Sequence, residues 1–85
     1  MKLTKWSYTK RYNIKAQFDE YPNSIVVFRQ IKNFYFVYTV KWSLSDPVVS
    51  KNILEEMELL LNRELGTEEY YIKRKHVQKY NSNEV

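Results

Sequence analysis

Between Trp6 and Phe18 the chain alternates. Trp6, Tyr8, Tyr12, Ile14, Ala16 and Phe18 take even positions, interrupted by Lys10, while Ser7, Thr9, Arg11, Asn13, Lys15 and Gln17 take the odd ones. Successive side chains of a strand point to opposite faces, so this is the pattern of a half-buried strand, with a break near Thr9–Arg11 where Lys10 intrudes. The stretch DEYPNS, residues 19–24, reads as a loop with Pro22-Asn23 at its central turn positions. Residues 25–31 are β-branched and aromatic and read as a strand. Lys32-Asn33 suits a two-residue hairpin turn, with Asn33 at the position that tolerates positive φ. Residues 34–42 make the third strand and pose a problem. Phe34, Phe36, Tyr38, Val40 and Trp42 lie on one side, yet Tyr35 and Val37 lie on the other.

A two-residue turn at Lys32-Asn33 pairs Ile31 with Phe34 and Ile25 with Val40, and Phe18 is taken to face Ile25 across the preceding loop. One sheet face then collects Tyr12, Ile14, Ala16, Phe18, Ile25, Val27, Ile31, Phe34, Phe36, Tyr38, Val40 and Trp42, broken only by Arg29. The opposite face holds Arg11, Asn13, Lys15, Gln17, Val26, Phe28, Gln30, Tyr35, Val37, Thr39 and Lys41. A one-residue slip in either connection would invert a strand.

The next segment is helical. Val49, Ile53, Leu54, Met57, Leu60, Leu61 and Leu65 form one stripe at helical spacing, and Glu55, Glu56, Glu58, Asn62 and Arg63 fall outside it as a solvated side. Asp46 is the expected N-cap, Pro47 the first helical residue and Gly66 the terminator. Val48 and Leu59 point away from the stripe. Residues 68–80 fit a second helix capped by Thr67, with Glu68 and Glu69 in its first turn and Lys75, His76 and Lys79 near its end; the YYIKR run fits a fourth strand as well. The expected fold is therefore α+β: a three-stranded antiparallel β-meander packed on one amphipathic helix, with a basic C-terminal helix or fourth strand. A chain of 85 residues forms one domain, residues 1–80, followed by a polar tail, residues 81–85.

Charge says more than composition does. The formal net charge is +4, but residues 1–42 carry +6, residues 43–69 carry −5 and residues 70–85 carry +3. Such asymmetry specialises a surface for an oppositely charged partner, or lets basic strands attract an acidic helix within the fold. There is no Cys, which excludes disulfides and thiolate metal sites. The N-terminal residues lack the apolar core of a signal peptide and no apolar run is long enough to span a bilayer, so the expected location is cytoplasmic. An acidic helix face has the wrong sign for anionic lipid, so no membrane partner is expected.

The chain has one His and one Gly, so glycine-rich phosphate loops and nucleophile elbows are missing, and no cofactor or metal is expected. The sharper signal is the second sheet face. Phe28 and Tyr35 are the expected stacking rings, with Arg11, Lys15, Lys32, Lys41, Lys73, Arg74 and Lys75 holding phosphates. Rings edged by cations suit single-stranded nucleic acid, because bases stack while ammonium and guanidinium groups neutralise the backbone. The expected function is a small non-catalytic nucleic-acid-binding protein. The second reading gives the same face to a protein partner or a homodimer, as in an inhibitor or adaptor of a nucleic-acid enzyme of the kind mobile elements use. The third is a small ribonuclease using His76.

Overall fold

The structure, a computed structural model, describes residues 1–74. Four antiparallel strands are neighbours both in sequence and in space: β1 (Leu3–Tyr8), β2 (Ile14–Phe18), β3 (Tyr21–Ile31) and β4 (Phe34–Lys41). Helix α1 (Lys51–Leu65) follows, and residues 68–74 form the described part of a second helix, α2. The architecture is α+β, with four strands instead of the expected three. Lys75, His76 and the tail lie outside the described residues.

The extra strand comes from the break at Lys10, which is a hairpin. Thr9 closes it: its N–H donates to the Asn13 carbonyl at 2.7 Å and its hydroxyl accepts from the Asn13 N–H at 3.2 Å. Tyr12 sits in this turn at φ 62, with its ring 81% exposed, and not on the apolar face as expected.

The second correction is the β2–β3 connection. Its turn is Asp19-Glu20, with Phe18 opposite Tyr21, so Pro22 and Asn23 belong to β3. The register shifts beyond this turn, and Ala16 pairs with Val26 and Ile14 with Phe28. Val26 and Phe28 therefore share the face of Ile14 and Ala16, while Ile25 and Val27 take the other side. This is the slip that inverts a strand.

The third correction lies in β4. Ile31 pairs with Phe34 as expected, but Phe28 pairs with Val37 and Val27 with Thr39, leaving Tyr38 as the extra residue of a bulge. Trp6, Ala16, Val26 and Val40 line up across the sheet on the inner face, as do Tyr8, Ile14, Phe28 and Val37. Met57 and Leu61 of α1 close over this face, both fully buried. The predicted stripe is otherwise correct: Val49, Ile53, Leu54, Leu60 and Leu65 pack around the same core.

The helix starts later than expected. Its cap is Ser50, whose hydroxyl accepts from the Ile53 N–H at 3.3 Å. Asp46 instead ties the loop to the irregular start of β3, accepting from the Asn23 N–H at 3.1 Å and from the Ser24 hydroxyl at 2.5 Å. Val48 precedes the helix and is 96% exposed, which removes its conflict with the stripe. Gly66 ends α1 at φ 77, a left-handed conformation that costs glycine little. Thr67 then opens α2, its carbonyl accepting from the Tyr71 N–H at 3.2 Å.

Candidate functional site

Each face of β4 is now accounted for. Tyr35, Val37 and Val40 point inward with Phe28 and Val26, while Phe36, Tyr38, Thr39 and Lys41 stand on the outer face. Phe28 is fully buried and Tyr35 is 7% exposed, so the two rings expected to stack on a ligand are core. Burial, together with Tyr8, raises the Tyr35 phenol above its ordinary pKa.

The outer face carries a different aromatic set. One row runs Ser7, Lys15, Val27, Thr39 across all four strands. Beside it stand the pairs Lys5 with Gln17, Ile25 with Lys41, and Arg29 with Phe36. The Arg29 guanidinium lies over the Tyr38 ring at 5.2 Å from its centroid. Tyr38 is 56% exposed, whereas Val27, Ile25 and Phe36 are half-buried among their neighbours. Helix α1 packs on β4 and β1 from the inner side, and Lys5, Lys15, Arg29, Tyr38, Thr39 and Lys41 are exposed on the outer one. Lys5, Lys15, Arg29 and Lys41 charge the face, and none of its paired positions carries a carboxylate. Lys5, Lys15, Gln17 and Ile25 line a groove of 430 Å³ at its β1–β2 side.

The remaining expected cations gather at one end of the sheet. Arg11 lies in the β1–β2 turn and Lys32 in the β3–β4 turn, and in a meander these turns share an end. Lys32, not Asn33, takes the positive φ, at 54. Lys73 and Arg74 reach the same end on α2, where they line a concavity with Lys32, Phe34 and Tyr70. The structure thus brings Lys15 and Lys41 together on the open face, and Lys32, Lys73 and Arg74 at the turn.

Two polar residues that border the stripe on α1 also depart from expectation. Asn62 is fully buried and Glu58 is 9% exposed, although both read as solvated. The Asn62 amide pairs with the backbone of Tyr35: its oxygen accepts from the Tyr35 N–H at 2.8 Å and its nitrogen donates to the Tyr35 carbonyl at 2.7 Å. Glu58, one turn earlier, accepts from the Val37 N–H at 2.8 Å and from the Tyr71 hydroxyl at 2.7 Å. Burial and the Glu58 carboxylate push the Tyr71 phenol far up. Two side chains at i and i+4 thereby take the place of a fifth strand along the β4 edge, a way of blocking strand addition. The available signal was a Glu and an Asn four apart, each adjacent to the apolar stripe.

No helix among the described residues is long and apolar enough to cross a membrane, and among them no group of three or more His, Cys, Asp or Glu gathers to hold a metal ion. No curated protein and no solved structure matches the chain significantly. The family described as "Uncharacterised protein YuzH" matches residues 2–76, a span that contains the whole sheet, α1 and the described part of α2, and the chain therefore belongs to the YuzH family.

Proposed function

We propose that this protein binds single-stranded nucleic acid on the outer face of its sheet, without turnover. The observation that carries the reading is the outer face itself: Phe36 and Tyr38 among Lys5, Lys15, Arg29 and Lys41, with no carboxylate at the paired positions. Phe36 and Tyr38 replace Phe28 and Tyr35 as the stacking rings. Every base has a π-face, so ring stacking tolerates sequence, and the cations neutralise the backbone. The acidic side chains Glu55, Glu56 and Glu64 lie on α1, which packs against the inner face, so opposite sides of the domain differ in charge and a polyanion is oriented toward the sheet.

The test is anisotropy of labelled single-stranded DNA, single-stranded RNA and duplex against protein, over a range of salt. Single strands are expected to bind more tightly than duplex. Phe36→Ala and Tyr38→Ala should each weaken binding by about 1–3 kcal/mol, the worth of one base–aromatic stack, with the fold kept. Lys15→Ala should lower the salt slope by about 0.7 for each phosphate that Lys15 neutralises. No binding at low salt, or binding indifferent to these changes, would overturn the reading. Self-association abolished by Phe36→Ala, with no nucleic-acid binding, would assign the face to a second copy of the chain.

A further inference from the structure

The concavity at the β3–β4 turn is not needed for stacking, yet it has the composition of an anion site. It measures 230 Å³ and is lined by Lys32, Asn33, Phe34, Tyr70, Lys73 and Arg74. Its cations come from two elements separated by a whole helix, so the tertiary fold, not a local charge run, makes them converge. Phe34 forms its buried wall, held by the Tyr71 ring at 6.1 Å, and Tyr70 forms a half-exposed one. Lys32 is held in the left-handed region, which few residues other than glycine adopt. Among the described residues, Lys73 pairs with Glu69 at 3.8 Å, with both side chains exposed, a loose pair that an anion can displace.

Position supplies the rest. Phe34 pairs with Ile31 next to Phe36 and Arg29, so the open face runs directly to this turn. A strand lying along β4 reaches Lys32, Lys73 and Arg74 where the sheet ends. A terminal phosphate monoester carries more charge than an internal diester and presents three free oxygens, matching cations converging from several directions.

We propose that this concavity is a phosphate-monoester subsite that holds the terminal phosphate of the bound strand. The proposal rests on the open-face reading for its polymer, but the phosphate chemistry can be tested apart from it. Internally labelled oligonucleotides of one sequence are prepared with a 5′-phosphate, a 3′-phosphate, or hydroxyls at both ends. One of the two phosphorylated strands is expected to bind about tenfold tighter than the hydroxyl strand, the size of one hydrogen bond to a charged group. Lys32→Ala and Arg74→Ala should abolish that difference while costing the hydroxyl strand little. Equal affinity for all three strands, or a difference that survives both substitutions, would overturn the subsite.

If no strand binds, the open-face reading fails and the subsite is judged on small anions. Inorganic phosphate and a mononucleotide are then titrated while the amide NMR signals of Lys32, Asn33 and Tyr70 are followed. Shifts that disappear in Lys32→Ala and Arg74→Ala would support a site for free phosphate monoesters. Unmoved signals would overturn it.

Discussion

Replacing Asn62 with leucine tests the edge device directly. Leucine is of similar size, so no cavity opens, but the Tyr35 N–H and carbonyl are both deprived of their buried partner. An orphaned buried polar group costs about 1–3 kcal/mol, so the pair costs about 2–6 kcal/mol. Burying the leucine side chain returns about 1.5–3 kcal/mol, leaving a net loss of about 2 kcal/mol at the middle of the two ranges. A domain of this size is stable by about 4–13 kcal/mol, so the loss is a large share of the total. Urea unfolding followed by circular dichroism reads it as a lower midpoint at constant slope. Asn52→Leu, on an exposed position of the same helix, is the control and should change stability by no more than about 0.5 kcal/mol. The uncovered β4 edge should also raise self-association, measured by sedimentation. If Asn62→Leu matches the wild type within about 0.5 kcal/mol and self-associates no more than the wild type does, the amide does not guard the edge and the reasoning fails.

Phe28→Ala should cost about 3–5 kcal/mol of stability because the ring is fully buried, whereas Phe36→Ala on the open face should cost much less; equal losses by denaturant titration would contradict the face assignment. Ser50→Ala should destabilise the domain by about 1 kcal/mol by removing the cap, read as a lower urea midpoint. Asp46→Ala should instead loosen Asn23 and Ser24 with α1 helicity unchanged, as amide exchange can show; faster exchange in the first turn of α1 would argue that Asp46 caps it after all. Tyr35 and Tyr71 both have phenol pKa values raised above 10.0, so the unfolded chain releases these protons first as the solution becomes alkaline. Their contribution to stability is complete below pH 10 and is lost as pH rises above it; Tyr71→Phe should flatten that alkaline loss in unfolding titrations.

Local signals were legible in the chain. The alternation through Ile14, Ala16 and Phe18 marks a strand, the stripe from Ile53 to Leu65 marks a helix, and Gly66 with Thr67 marks a stop and a restart. Each depends on neighbours a few residues away, where the periods of strand and helix fix side-chain direction. Of the cations on the open face, Lys15 and Lys41 were legible from alternation, whereas Arg29 was expected on the core face and Lys5 was not assigned to either. The rings beside them were not legible. Whether Phe28 or Val27 faces the core depends on the parity of the β2–β3 connection, and Asp19-Glu20 competes with Pro22-Asn23 for the turn. The Tyr38 bulge then shifts the pairing again, so apolar residues on both sides of β4 cannot be sorted without its partner strand. Glu58 and Asn62 border the apolar stripe, and their polar side chains alone read as solvated. Only the tertiary structure sets them against β4, because the groups they satisfy are backbone N–H and C=O, which every residue but proline carries and no sequence pattern distinguishes.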